Sequence, residues 1–271
     1  PAPLLLKSNC ISTVHRRVPL DLVITPLRDG DSIVGLLIHA GLWTSAALHA
    51  APQDVPVLRA HLATLEERLR FDPRGHTGKA MAHSLTALPH DLTVAFSEKD
   101  LERLVMTAMS IADRPRSRLV LVRSALGRHL FAFVWLPRDE VSTGRRLAIG
   151  EMLSQAANAE MLSWSISMED GVAALLRYTL DLRRDGRMPD ADALDSRIER
   201  MARGWRPGVE SALVDQGESR STRLAMRYAS QFPTNYRNSN TPEEAARDIV
   251  HLADLADTDA RSVRIIPCDG V

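Results

Sequence analysis

From Ser97 to Leu182 the apolar periodicity changes in a fixed order, and that order limits the folds open to this chain more than any other feature. Ser97 is a good helix N-cap with Asp100 three residues on, and Leu101, Leu104, Val105, Ala108 and Ile111 recur on one helical face before Pro115. Strand-like runs follow at Arg118 to Ser124 and His129 to Leu136, around a Leu126-Gly127-Arg128 turn. Ser142 to Ala157 returns to helical spacing, with Leu147, Met152, Leu153 and Ala156 inward. Met161 to Met168 then alternates Trp164, Ile166 and Met168 with Ser163, Ser165 and Ser167. After Asp170-Gly171, Leu176, Tyr178, Leu180 and Leu182 alternate with Arg177, Thr179 and Asp181. The economical packing for helix, strand, strand, helix, strand, strand is two helices on one face of a four-stranded antiparallel sheet. The expectation is a ferredoxin-like αββαββ sandwich with one connection rearranged.

The flanking segments make the whole chain α+β. Val18 to Leu27 and Ser32 to Trp43 are β-rich runs joined at Arg28-Asp29-Gly30-Asp31, where Asp-Gly supplies positive φ. Both runs are apolar on both faces, which predicts a hairpin covered on each side. Helices are expected at Gln53 to Leu69 and at Thr77 to Leu88, the second stopped by Pro89. The last third reads as helical: Ala191 to Gly204, then Val209 to Asp215, then Glu218 to Ser230. A further helix opens on Thr241-Pro242-Glu243-Glu244, with Thr as N-cap, Pro at N1 and Glu at N3. Arg261 to Pro267 reads as one more strand without a partner, and is an expectation that the polypeptide continues.

Composition excludes several function classes. The 34 basic residues balance 34 acidic ones, so no net field favours nucleic acid or an anionic membrane surface. The arginines of the Arg114 to Arg128 hairpin lack the interleaved aromatics of single-strand readers. No apolar run approaches the roughly 20 residues that span a bilayer. Cys10 and Cys268 show no ligand spacing, which suits idle thiols in a reduced, cytoplasmic compartment.

Motifs for chemistry are sparse. No G-x-G-x-x-G follows a strand, so the signature of a dinucleotide crossover is missing. Gly75-His76-Thr77-Gly78-Lys79-Ala80 imitates a phosphate loop, but its glycine spacing is wrong and Ala80 replaces the magnesium-binding hydroxyl. His76 and His83 lack a third metal ligand. Ser12-Thr13-Val14-His15-Arg16-Arg17 gathers hydroxyls, an imidazole and two guanidiniums. A hydrolase-type centre on Ser12 and His15 is one reading of it. An anion contact by Arg16 or Arg17 is the other, because guanidinium forks grip carboxylates in a bidentate way.

An ordered set of short motifs carries a resemblance. Lys7-Ser8-Asn9, Ser12-Thr13-Val14-His15-Arg16 and Gly41-Leu42-Trp43-Thr44-Ser45 come first. Asp54-Val55-Pro56-Val57-Leu58-Arg59, Phe71-Asp72-Pro73, His76-Thr77-Gly78-Lys79-Ala80 and Phe96-Ser97-Glu98 follow. Val134-Trp135-Leu136-Pro137-Arg138-Asp139, Arg203-Gly204-Trp205 and Phe232-Pro233-Thr234-Asn235-Tyr236 complete the series. Together they make nearly the whole chain resemble the N-terminal region of the large bacterial NAD-specific glutamate dehydrogenases.

The resemblance implies a PAS-like domain with helices over 1–93, an ACT-like domain over 94–186, a helical motif over 187–258 and the start of a further element over 259–271. It implies a regulatory and assembly segment cut off before the catalytic domains, with NAD belonging to the parent enzyme and no cofactor in this chain. Expected partners are an amino-acid effector, the catalytic domain of the same polypeptide, and a second copy met through the ACT-like sheet edge or helix face. Neither nucleic acid nor membrane is expected. The candidate ligand-binding residues are His15, Arg16, Arg17 and Arg138; no catalytic or metal-binding residue is assigned. A stand-alone small-molecule sensor is the alternative, beside the Ser12/His15 hydrolase.

Overall fold

The computed structural model describes residues 3–14, 16–168, 173–183, 185–233, 236–237, 240–255 and 261. His15, the Asp170-Gly171 turn, Cys268 and the expected strand beyond Arg261 lie outside the described residues. The chain divides into two compact units, Pro1–Ala202 and Arg203–Val271.

The first unit begins with a three-stranded antiparallel meander, β1 (Leu4–Ile11), β2 (Pro19–Asp29) and β3 (Ser32–Gly41). The expected hairpin is its β2–β3 half, with Gly30 at φ 55° in the turn. The third strand, β1, went unread in the sequence. The expectation of cover on both faces fails at β3, which is exposed almost throughout, with Ile33, Val34, Leu36 and Ile38 all more than half exposed. Its apolar pattern asks for cover that no described element supplies.

Short α1 (Ser45–Leu48) leads to α2 (Pro56–Leu69), α3 (His76–Ala87), α4 (His90–Thr93) and α5 (Glu98–Asp113). Ser97 caps α5 as its sequence predicts, accepting from the Asp100 amide. The sheet follows: β4 (Arg118–Arg123), β5 (His129–Pro137), α6 (Thr143–Ala157), β6 (Glu160–Ser167), β7 (Ala173–Asp181), then α7 (Ala191–Met201). All its pairings are antiparallel and its order is β4-β5-β7-β6.

The expected element order is present, but the expected layering is not. Helices α5 and α6 lie on opposite faces. Leu130, Ala132, Val134 and Leu136 of β5 pack with Ile149, Met152 and Leu153 of α6 and Leu194 and Ile198 of α7. Phe131, Phe133 and Trp135 of the same strand pack with Met81 and Leu85 of α3 and with Leu101, Leu104 and Val105 of α5. Leu119 and Leu121 of β4 face the first cluster, Val120 and Val122 the second. A strand apolar in both parities needs a layer on each face. The second helix on the α6 face is α7, which the sequence had grouped with the helical motif after 186/187. Asp195 of α7 clasps the edge strand, accepting from the Leu119 amide at 2.6 Å and from Arg118 at 3.1 Å.

Gly78 has a packing role. A Cβ there would collide with the Asp72 carbonyl oxygen and lie 2.8 Å from Pro73 Cα, so the first turn of α3 closes directly on the preceding loop. That contact accounts for the glycine without a phosphate.

The second unit holds α8 (Trp205–Asp215), α9 (Ser221–Tyr228) and α10 (Pro242–Asp254). Val209, Leu213, Leu224, Ala245 and Ile249 form its centre. The Thr241/Glu244 capping box is complete, as the sequence predicts. Trp205 extends α8 four residues earlier than its periodicity suggested; its indole donates to the Ala229 carbonyl at 2.7 Å.

One core group makes folding pH-dependent. His129 opens β5 fully buried, and neither ring nitrogen has a hydrogen-bond partner. Burial, aided by Arg128 and Lys7 and opposed by Asp181, pulls its pKa from 6.5 down to about 4. Below pH 6.5 the unfolded chain gains a proton that the folded chain refuses until about pH 4. This contribution is therefore complete above 6.5 and is lost on acidification, amounting to about 3 kcal/mol. Asp181, whose pKa is lowered chiefly by the Arg128 hydrogen bond, loses its contribution only at still lower pH. Urea unfolding across this range should show the loss in the wild type and much less in His129→Gln; equal slopes for the two would remove His129 as the cause.

Candidate functional site

The two halves of one sheet face differ in chemistry. On the face that carries Phe131 and Phe133, β7 presents Thr179 opposite Phe131 and Arg177 opposite Phe133. β6 continues the rows with Ser163 opposite Thr179 and Ser165 opposite Arg177. The face is aromatic at its centre and hydroxylic and cationic towards β6. Helices α2 to α5 cover the aromatic half. Over the polar half a cleft of about 280 Å³ remains, lined also by Lys7 of β1, Arg16 to Pro19 at the entry to β2, Asp91 and Leu92 of α4, and Trp164.

Lys7 is the innermost cation. It is 2% exposed, 2.7 Å from Asp21 and 3.6 Å from Asp91. Burial, reinforced by the Asp91 carboxylate, pushes the Asp21 pKa up; Lys7 and Trp43 pull it back. Arg177 approaches Asp91 at 3.5 Å and donates its Nε to the Ser165 hydroxyl at 3.1 Å. Arg16 donates to the Trp43 carbonyl at 3.1 Å, which ties the loop before β2 to the end of β3, while its Nε is buried without a partner.

The structure therefore brings together Arg16 and Arg17 of the expected set. Arg138 is elsewhere, on a short 3₁₀ turn, reaching the Met168 carbonyl at 3.4 Å. Lys7, Asp91, Arg177 and the hydroxyls of Ser163, Ser165 and Thr179 are the members that sequence reasoning missed. The Ser/Arg/Thr parity of β6 and β7 was a usable signal: read as cross-strand rows, it places these side chains on one face. Ser12 is not poised for attack, because its hydroxyl donates to the Val14 carbonyl at 2.9 Å and accepts from the Val14 amide. Among the described residues no group of three or more His, Cys, Asp or Glu could hold a metal. Among the described residues both sheets are antiparallel throughout, unlike the parallel crossover that seats a dinucleotide.

A ββαββα sheet with two helices on one face defines an ACT-type domain, here backed by a helical layer on its other face. Comparison with known families agrees. Residues 118–206 match the family model described as glutamate dehydrogenase, ACT2 domain. Residues 55–114 match glutamate dehydrogenase, helical motif 1, and residues 212–255 match its helical motif 2. The NAD-specific glutamate dehydrogenase of Halomonas elongata is 28% identical over 257 residues, 92% of this chain and 16% of that protein. Those of Pseudomonas aeruginosa and Mycobacterium tuberculosis are 27% and 22% identical over 91% and 82% of the chain. In its domains and their order the chain corresponds to an N-terminal region of the large NAD-specific glutamate dehydrogenases. It spans about one sixth of the length of the relatives it matches.

The buried ion cluster should be sensitive to loss of its cation. Lys7→Ala leaves Asp21 and Asp91 facing one another and should cost about 3–5 kcal/mol. Lys7→Met combined with Asp21→Leu should recover most of that loss. Chemical denaturation of the three proteins checks this; a loss under about 1 kcal/mol in Lys7→Ala would show that Lys7 does not hold the cluster together.

Proposed function

We propose that this chain is a regulatory and assembly segment of an NAD-dependent glutamate dehydrogenase and is not catalytic by itself. In the parent enzyme L-glutamate and NAD would yield 2-oxoglutarate and ammonia, on residues that are not among those described. The observation that carries this reading is the cleft over the polar half of the ACT-type sheet, where Arg16, Arg17, Lys7 and Arg177 converge with hydroxyls and an aromatic ring. That chemistry suits a small anion, and among the described residues it pairs no nucleophile with a base.

The regulatory logic is one of coupled equilibria. The cleft is walled by β1, by the loop entering β2, by α4 and by β6 and β7. A ligand there joins the meander to the ACT-type sheet, and shifts any equilibrium between arrangements by its differential affinity alone. The meander is read as part of a PAS-type domain. An amino-acid effector is the ligand class that ACT-type modules suggest. Partners would be the catalytic part of the same polypeptide and a second copy meeting the free edge of β6 or a helix face. Among the described residues no helix is long and apolar enough to cross a membrane, which suits the cytoplasmic location proposed here. A stand-alone sensor would use the same cleft.

The purified chain, incubated with glutamate and NAD, should form no NADH above the protein-free rate. Turnover that co-purifies with the chain would overturn the non-catalytic reading.

A further inference from the structure

We infer that the cleft takes a small dicarboxylate, held between Arg16 and Arg17, in preference to a zwitterionic amino acid; this rests on the effector-site reading above and replaces the amino-acid ligand suggested there. The first argument is charge. Lys7 lies 2.7 Å from Asp21, and Arg177 lies 3.5 Å from Asp91, with Lys7 also 3.6 Å from Asp91. Two cations and two carboxylates thus balance within the wall of the cleft. Arg16 and Arg17 have no acidic partner among the described residues, so two positive charges are left for a ligand.

The second argument is unmet hydrogen bonding. Arg16 is fixed by its bond to the Trp43 carbonyl, yet its Nε is buried with nothing to donate to. Buried donors without acceptors are costly, and charged ones most of all. A carboxylate laid against Arg16 supplies two acceptor oxygens in the planar geometry that a guanidinium matches.

The third argument is what the cleft lacks. An α-ammonium group is held most firmly by a free carboxylate, and Asp21 and Asp91 are both engaged by Lys7 and Arg177. A zwitterion would bring its own cation towards two uncompensated guanidiniums. Inorganic phosphate satisfies the charge but leaves Leu92, Phe131 and Trp164 without a carbon skeleton to cover. Two carboxylates on a short chain use both features, and about 280 Å³ suits a ligand of that size.

Isothermal calorimetry of the full 271-residue chain at fixed ionic strength tests this with succinate, inorganic phosphate and alanine as probes. Succinate should bind at least about tenfold tighter than either of the others, and Arg16→Gln and Arg17→Gln should each weaken it about tenfold or more. Among the described residues Arg17 makes no hydrogen bond or ion pair, so Arg17→Gln keeps the inference testable if Arg16→Gln disturbs the fold; circular dichroism monitors both. Alanine binding in place of succinate, lost in the arginine variants, would overturn the dicarboxylate inference and leave the effector reading intact. Phosphate binding as tightly as succinate would likewise remove the dicarboxylate. Silence from all three probes, or succinate binding left unchanged by both Arg16→Gln and Arg17→Gln, would count against both the ligand and the cleft as an effector site.

Discussion

The structure of the first unit depends on β5, a strand buried along eight successive residues from His129 to Leu136. Its odd-numbered aromatics Phe131, Phe133 and Trp135 face one helical layer, and Leu130, Ala132, Val134 and Leu136 face the other. Neither layer can leave without exposing half of the strand. At about 25 cal/mol per Å² of apolar surface, each of these side chains except the small Ala132 contributes on the order of 1.5–3 kcal/mol, so either exposed half would cost several kcal/mol. Helical motif 1 and the ACT2 domain, which match separate family models, therefore share a single core.

The same sheet supplies the site because that burial is incomplete. The α2–α5 layer covers the apolar rows of β4 and β5, while a cleft remains over the hydroxyl and guanidinium rows of β6 and β7. Polar side chains under a helix would have to be satisfied one by one. They are met instead by a charged cluster from β1, β2 and α4, and by a cleft. The ion pairs of Lys7 with Asp21 and of Arg177 with Asp91 fix the wall, and the two arginines before β2 have no acidic partner among the described residues.

Much of this was legible in the sequence. Element order from Ser97 to Leu182, the Ser97 cap and the Thr241 capping box follow from local chemistry, and local chemistry does not change when the chain packs. Layering was not legible. Helix α5 announces an apolar face but not which side of the sheet it meets, and that choice was settled by Val120 and Val122 alternating with Leu119 and Leu121. Likewise α7 reads as one more amphipathic helix; only Asp195 meeting the Leu119 amide shows that it belongs to the sheet. For the site, Arg16 and Arg17 stood out by adjacency. Lys7, Asp91 and Arg177 are separated by more than eighty residues from one another, and meet only through the packing of β1, α4 and β7. Arg138 looked equivalent to them by residue type and proved to lie elsewhere.

Native-state hydrogen exchange tests the shared core most directly. If β5 binds both layers into one cooperative unit, amides of α3 and α5 on one face and of α6 on the other should exchange with the same opening free energy as those of β5, all rising and falling together with denaturant. Exchange of the α3 and α5 amides through a separate opening of lower free energy, with β5 and α6 still protected, would contradict it.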